Sequence, residues 1–300
     1  MKIVVLGSAA GGAFPQWNSN AEGCRRARAG DPVAAARSQA GLAVSSDGER
    51  WFLMNASPDL RAQIERTPAL HPHEGLRSSP IAGVVLTGSD VDAIAGLLTL
   101  RERQPFDLHA TAATHDVIDA NPIFEVLARD VVARHTQALD APFALDDRLT
   151  VELFAVPGKI PLYLEQPDQA PAIQTDGTTV GAMIADREKR VFFIPGCAAV
   201  TPDLAVRLQG VDLVLFDGTL WKDDEMIVAG LGQKTGLRMG HISVSGDHGT
   251  LAAFRSIDVR RKILIHINNS NPILLADSLE RAVVEAAGWT VAYDGLEISL

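Results

Sequence analysis

The chain has 300 residues, of which 47% are hydrophobic and 21% charged, a balance typical of globular proteins that excludes fibrous and largely disordered chains. Its formal net charge of −10 would repel a phosphate backbone, so nucleic acid is not expected as a partner. The only cysteines are Cys24 and Cys197, too few for a disulfide framework, which predicts a reducing, cytoplasmic location.

The first predicted element is a buried strand, residues 3–6, that ends in a glycine-rich loop. Its apolar run is too short for a signal peptide, and no later run approaches the roughly 18 apolar residues that cross a membrane. The loop, residues 7–12, is followed by Ala13 and Phe14 where a phosphate-binding loop needs Lys and Ser or Thr. A turn that allows close packing is therefore favoured over a nucleotide site.

A hairpin and a helix are predicted next. Residues 41–45 and 50–55 are rich in β-forming side chains and flank an Asp-Gly turn. Ser57, Pro58 and Asp59 then provide an N-cap, a proline at the first helical position and an early acid, which predicts a helix that continues to about residue 66.

The rest of the chain alternates between apolar runs and segments of helical periodicity. The remaining predicted strands are 81–86, 151–156, 180–184, 191–194, 213–216, 262–267 and 290–293, and the predicted helices are 90–103, 115–121, 124–132, 202–208, 249–255 and 277–287. With no internal linker or repeat, this mixture predicts one α/β domain, residues 1–300, that holds more than one sheet. Residues 166–177, rich in Pro, Asp, Gln and Gly, are expected to be flexible.

Charged side chains follow the C-terminal ends of several predicted strands, where α/β folds place their functional sites. Asp90 and Asp92 follow one strand, Asp217 and His266 follow two others, and His241 lies beside a glycine ahead of a polar turn. Helix capping would explain the acids, and structural hydrogen bonds would explain the imidazoles. Together, however, they offer the carboxylate and imidazole ligands that iron, manganese or zinc accept.

Other reactive residue types lack this placement. The remaining histidines are interpreted as surface or structural residues: His71, His73, His109, His115, His135 and His248. Cys197 follows a predicted strand and could be a nucleophile, but no histidine lies near it in sequence. A buried, inert thiol is the favoured interpretation.

Several longer motifs are spread from the first predicted strand to the last. They are residues 6–12 (LGSAAGG), 14–18 (FPQWN), 53–59 (LMNASPD), 90–92 (DVD), 96–101 (GLLTLR), 194–197 (IPGC), 216–219 (FDGT), 223–226 (DDEM), 239–241 (MGH) and 265–269 (IHINN). Taken together, they resemble the family of coenzyme PQQ synthesis protein B, which has the metallo-β-lactamase fold. The resemblance implies a four-layer αββα sandwich.

It also implies a role in making pyrroloquinoline quinone (PQQ), a redox cofactor assembled from a Glu and a Tyr of a precursor peptide. The activity proposed for that family is an iron- and oxygen-dependent hydroxylation of the tyrosine ring. The alternatives are a soluble carrier that helps PQQ or its precursor reach the periplasm, and a non-catalytic partner of other proteins of the pathway.

Under this resemblance, iron and a polyacid substrate are each assigned candidate residues. The candidate catalytic residues are Asp92, Asp217, His266 and His241. The candidate iron ligands are Asp90, Asp92, Asp217 and His266. A polyacid needs cationic or amide partners; the candidates for these are Arg238, Lys159, Asn268 and Asn269.

The sequence departs from the fold's hydrolases at their metal-binding motif. Those enzymes carry His-x-His-x-Asp-His, and this chain has Gly88, Asp90 and Ala93 at the three histidine positions. Relatives that keep one of these histidines usually have it where Ala93 stands. These replacements predict a weak iron site and no β-lactamase activity. Cys24 also lacks the clustered cysteines of many relatives, so no structural zinc is expected, because one thiolate cannot complete a tetrahedral site.

Overall fold

The computed structural model describes residues 1–165 and 173–300. The strands are β1 Lys2–Gly7, β2 Gly41–Ser45, β3 Trp51–Met54, β4 Ile81–Val85, β5 Phe106–Ala110, β6 Val132–Thr136, β7 Phe143–Ala144, β8 Thr150–Ala155, β9 Val180–Ala185, β10 Arg190–Ile194, β11 Val211–Asp217, β12 Val259–Ile265, β13 Trp289–Val291 and β14 Glu297–Ser299. The helices are α1 Glu22–Arg28, α2 Leu60–Arg66, α3 Val91–Ile94, α4 Ala112–Asp119, α5 Pro202–Arg207, α6 Glu225–Val228, α7 Thr250–Ala253 and α8 Leu279–Ala286.

The described strands form two seven-stranded sheets with related topology. The first sheet has the order β14-β1-β2-β3-β4-β5-β6 and the second has the order β13-β12-β11-β10-β9-β8-β7. In the first, the neighbours from β3 to β6 are parallel, and in the second the neighbours from β10 to β13 are parallel; the other neighbours are antiparallel. The predicted hairpin is confirmed, with Leu42 opposite Met54.

The sheets pack face to face and helices cover their outer faces. Leu42 of the first sheet and Phe193 of the second belong to the apolar layer between them. Leu60 of α2 belongs to the outer layer on the first sheet, and Leu204 of α5 with Val284 of α8 to the outer layer on the second. The result is the four-layer αββα sandwich that the family resemblance implies.

The glycine loop after β1 packs between the two sheets. A Cβ atom at Gly7 would lie 2.1 Å from the carbonyl oxygen of Gln39, so this position has no room for a side chain. The next turn pairs Ala9 with Gln39, which lies just before β2 of the first sheet, and with Ile267, which lies just after β12 of the second sheet. Close packing, favoured over a nucleotide site, is the role that this geometry supports.

The helix predicted over residues 90–103 is shorter than its apolar periodicity suggests. Only α3 is α-helical, and residues Ala95–Leu100 form a 3₁₀ helix. The change occurs where the backbone of another segment approaches: Gly96 N–H donates to Ala56 O at 2.8 Å, and a Cβ atom at Gly96 would lie 2.0 Å from Ser57 O. Tertiary contact therefore overrides the helical pattern.

Three further predictions need correction. The helix predicted over residues 124–132 is wrong: residues Pro122–Val126 form a 3₁₀ helix and β6 begins at Val132. Strands β5, β6, β7 and β14 were not predicted. Helix α2 begins at Leu60 rather than at Pro58, so Ser57 is not its N-cap. The carboxylate of Asp59, predicted as an early helical acid, accepts hydrogen bonds from the backbone and side-chain N–H groups of Gln39, at 2.9 and 3.0 Å.

Two expectations from the sequence concern a flexible stretch and membrane-spanning segments. Of the stretch expected to be flexible, residues 166–172 lie outside the described residues. Within the described ranges, no helix combines the length and the hydropathy needed to cross a membrane.

Candidate functional site

A cavity of about 430 Å³ opens where loops after β4, β10, β11 and β12 meet. This volume lies in the range of small-molecule sites. The charged and titratable side chains that line it are Asp90, Asp92, Lys159, Lys234, His241 and His266. The cavity therefore brings together acids from the first sheet and imidazoles from the second.

The loop after β4 is held by side chains from neighbouring segments. Asn55 donates from Nδ2 to Thr87 Oγ1 and accepts from Thr87 N–H, each at 2.9 Å. The hydroxyl of Tyr163 donates to the carbonyl oxygen of Ser89. These bonds fix the backbone just before the two acids, which limits the positions their carboxylates can take.

Asp92 and His266 form a hydrogen-bonded pair in the cavity. His266 Nε2 lies 2.8 Å from Asp92 Oδ2, although the two residues are 174 positions apart. Burial opposes charge on both groups, but the bond between them outweighs it, lowering the pKa of Asp92 and raising the pKa of His266. Both directions favour an ion pair of Asp92 and His266 over two neutral groups while no metal ion is bound, and a bound ion would take the place of the shared proton.

Asp90 lies at the N-terminus of α3 but does not cap it. No backbone N–H of the helix donates to its side chain. Burial, and then the charge of Asp92, raise the pKa of its carboxyl group. The capping explanation therefore does not account for Asp90, which instead places a second carboxyl group on the cavity wall.

Thr219 connects the remaining site residues, and the sequence analysis did not single it out. Its Oγ1 lies 2.7 Å from Asp217 Oδ1, 3.1 Å from His241 Nδ1 and 2.9 Å from His266 Nδ1. One hydroxyl thus fixes the orientation of both imidazole rings. The available signal was its position two residues after Asp217 in the same strand-end turn.

Asp217 lies beneath the cavity and is fully buried, so it does not face the ligand space as expected. Its carboxylate accepts from the N–H groups of Cys197 and Thr219, each at 2.9 Å, and from the Thr219 hydroxyl, and it lies 2.7 Å from His241 Nδ1. A carboxylate has about four acceptor sites, so these four donors fill them. Asp217 positions His241 and leaves Nε2 as the open nitrogen of that ring.

The candidate substrate-binding cations converge on one acid. Lys159 and Arg238 both contact Glu165, as does Lys234, which the sequence analysis missed. Lys159 and Lys234 line the cavity, whereas Arg238 is not among its lining residues. Neither Lys234 nor Glu165 belongs to a motif or a strand end, so nothing in the sequence pointed to them.

The two candidate asparagines have different surroundings. Asn268 lines the cavity and donates from Nδ2 to Ser270 Oγ at 2.6 Å. Asn269 instead bonds to the Gln16 side chain and accepts from the thiol of Cys24 at 3.6 Å. Asn269 therefore supports the loop that carries Asn268 rather than lining the cavity itself.

We expect no zinc to be held at Cys24. Its side chain is fully buried and its thiol donates to Asn269, while the other cysteine, Cys197, donates to Ala199 O, so no second thiolate completes a tetrahedral site at Cys24. The zinc content of protein purified without chelators should be the same for the unmodified chain and for Cys24→Ser. A bound zinc ion that is lost in Cys24→Ser would contradict this.

Cys197 is fully buried, and burial raises the pKa of its thiol to about 12. The thiol donates to Ala199 O at 3.1 Å, while its backbone N–H donates to Asp217. A thiol that stays protonated at neutral pH is a poor nucleophile. Cys197 thus contributes its backbone to the site, in line with the inert interpretation.

Besides Asp217, His241 and His266 at the cavity, the described residues contain a second group of possible metal donors: Asp107, His109 and His135, on β5 and β6. The two rings stack with centroids 4.8 Å apart and planes 17° apart. Because a metal ion lies in the plane of each imidazole that binds it, stacked rings cannot share an ion in this arrangement. Gln137 Nε2 lies 3.0 Å from His109 Nδ1, and burial lowers the pKa of His109 to about 4, so His109 is a neutral structural residue.

The donors in the cavity fit a divalent ion at Asp92 and His266. Their facing atoms are 2.8 Å apart, close to the separation of about 3 Å between adjacent ligands that each lie about 2.1 Å from one ion. The rings of His241 and His266 stack, with centroids 5.2 Å and planes 23° apart, so His241 is not counted as a ligand of the same ion. Asp90 is the further oxygen donor on this wall, while Ala93 brings a methyl group.

The family model of the beta-lactamase superfamily domain matches residues 50–267 of this chain. The chain is 62% identical to coenzyme PQQ synthesis protein B of Gluconacetobacter diazotrophicus, with 99% of each chain covered. It is 56% identical to the protein of the same name from Methylorubrum populi, with all of each chain covered.

Solved structures agree with the fold. The crystal structure of Zn(2+)-bound PqqB from Methylobacterium extorquens has a TM-score of 0.98 and 53% identity, with 100% of each chain covered. A diphosphatase from the PhnP family has a TM-score of 0.70 at 19% identity, covers 99% of this chain and 96% of its own, and supports the fold alone.

Proposed function

This chain belongs to the coenzyme PQQ synthesis protein B family, within the beta-lactamase superfamily, and on that premise we propose that it acts in PQQ biosynthesis. The step proposed is an iron- and oxygen-dependent hydroxylation of the tyrosine-derived ring of the Glu-Tyr precursor. The observation that carries this proposal is the Asp92–His266 pair, two ligands of the kind that iron accepts, 2.8 Å apart in a cavity of small-molecule size.

Asp92 and His266 would hold the iron, with Asp90 as the neighbouring oxygen donor. Bound iron supplies the one-electron chemistry that lets dioxygen react with a closed-shell phenol. Asp217 and Thr219 keep the rings of His241 and His266 in place through the hydrogen bonds at Nδ1. Such supporting bonds set ligand orientation and basicity.

His241 is the candidate for moving the proton of the substrate phenol. It lines the cavity, and its Nδ1 is held by Asp217 at 2.7 Å, so exchange takes place at Nε2. Lys159 and Asn268 line the same cavity and provide a cation and an amide for the carboxylates of the substrate. The buried side chain of Val180 adds an apolar surface to the wall, against which the substrate ring can pack.

The test is turnover of the Glu-Tyr-derived diamino acid by iron-loaded protein. Inserting one oxygen atom of O₂ into a ring C–H bond leaves the other atom to be reduced to water, so the assay includes ascorbate as a two-electron reductant. We expect a product one oxygen atom heavier, formed only in air. Iron uptake without any product would overturn the hydroxylase assignment.

A carrier role is the second candidate, and Ala93 is the observation that favours it. Ala93 lies on the cavity wall and offers no donor where relatives of the resembled family usually have histidine. A carrier binds PQQ or its precursor equally well with and without metal. Turnover in the assay above distinguishes the two candidates.

We also expect negligible hydrolysis of β-lactams and phosphodiesters. A two-metal hydrolytic site needs the imidazoles that Gly88, Asp90 and Ala93 replace. Zinc-loaded protein should give rates close to the uncatalysed background with nitrocefin and with bis-p-nitrophenyl phosphate. Zinc-dependent turnover of either compound that is lost on adding EDTA would contradict this expectation.

A further inference from the structure

We propose that Lys159 and Lys234 form a carboxylate-binding subsite on the cavity wall, and that Glu165 competes with the ligand for these two lysines. The inference rests on the proposed function, because it takes this cavity as the place where a polycarboxylate such as PQQ binds. It adds a residue, Lys234, and an internal competitor, Glu165, that no sequence motif indicates.

Glu165 holds three cations with its two oxygens. Lys159 Nζ lies 3.5 Å from Oε1 and Lys234 Nζ lies 3.3 Å from Oε2. The guanidinium of Arg238 spans both oxygens, at 3.3 Å from Oε1 and 3.0 Å from Oε2. The arrangement shows that this group of cations accepts a carboxylate, with Arg238 in the two-pronged geometry that such pairs prefer.

The cluster carries an excess of positive charge. Three cations face one acid whose side chain is only 10% exposed, and the hydrogen bond from Arg238, aided by Lys234, lowers the pKa of Glu165 to about 2. Glu165 is therefore ionised at neutral pH, and the four groups sum to a net charge of about +2. A second carboxylate would thus be attracted to the cluster.

The lysines, rather than Arg238, are the groups that a ligand can reach. Both lysines line the cavity and Arg238 does not. An ammonium group has three donors. Among the described residues, Lys159 donates to Ile160 O at 3.0 Å and forms an ion pair with Glu165, while Lys234 donates to Glu165 Oε2 at 3.3 Å. Donors therefore remain for a ligand carboxylate, while Glu165 shares the same charges.

The experiment measures PQQ binding by calorimetry with protein as purified, in low and high salt. Lys234→Gln should weaken binding by about tenfold or more, as expected for a lost charged hydrogen bond, and should reduce its salt dependence. Lys2→Gln is the matched control, because it removes the same charge at the far end of β1. Glu165→Gln should tighten binding several-fold, because the competing charge is removed.

Each outcome bears on a different claim. Equal affinities for Lys234→Gln and Lys2→Gln, or weaker binding by Glu165→Gln with an unchanged melting temperature, would overturn this inference and leave the proposed function standing. Absence of PQQ binding by the unmodified chain would also overturn this inference, whereas the hydroxylase proposal is tested separately by turnover of the Glu-Tyr-derived diamino acid.

Discussion

Replacement of His266 by Asn is expected to abolish iron-dependent hydroxylation while the chain still folds. The imidazole supplies one of the two facing donors at 2.8 Å, and loss of a direct ligand should exceed the roughly 10–100-fold cost of losing a supporting residue. Asn is chosen because His266 has φ of 59°, a left-handed conformation that Asn tolerates better than most residues. Product formation and iron binding are both measured.

His266→Ala is the companion variant, which removes the same donor with less tolerance of that backbone conformation. Both variants should lose activity, and the alanine variant should also show the lower melting temperature. Thr250→Ser is the control for effects of substitution and purification, because Thr250 is buried and is not among the cavity-lining residues. It should retain activity. Activity within a few-fold of the unmodified chain in His266→Asn would remove His266 from the mechanism.

Ala93→His is expected to raise iron affinity by more than about tenfold. Ala93 lies on the cavity wall one residue after Asp92, so an imidazole there adds a donor to a site that has few. Ala93 is 7% exposed, so the larger side chain should also cost about 1–3 kcal/mol of stability through crowding. Anaerobic titration with ferrous iron measures the affinity.

Ala93→Leu separates the two effects. It crowds the same place without a metal donor, so it should lose stability but gain no affinity. If Ala93→His binds iron no better than Ala93→Leu, position 93 does not face the metal site, and the explanation of weak binding by a missing ligand is wrong.

The strands that the sequence predicted are those with continuous apolar runs. The central parallel strands are covered on both faces and contain unbroken apolar runs, such as residues 213–216 of β11 and 263–265 of β12. Strand β5 contains Asp107 and His109, and the edge strand β6 contains Arg134 and His135, so neither has the expected pattern. Local sequence could not identify them, because their polar side chains are paired by tertiary contacts such as His135 with Asp107.

The sequence predicted only part of the site, because some of its contacts exist only in the folded chain. Side chains at strand ends, such as Asp92 and His266, could be predicted to meet because the fold brings those ends to one edge. The burial of Asp217 could not be predicted, because it depends on polar partners from two other segments, Cys197 and His241. Glu165 and Lys234 are 69 positions apart, and only the folded chain brings them together.

The bond between Asp92 and His266 crosses the interface of the sandwich, since Asp92 follows a strand of the first sheet and His266 a strand of the second. A slide of one sheet over the other by about an ångström would part these atoms beyond hydrogen-bond range. Phe193, far from any ligand, helps to set that alignment from the layer between the sheets. Metal affinity should therefore depend on how the two sheets are aligned. Substitutions in the apolar layer between the sheets should change metal affinity as well as stability.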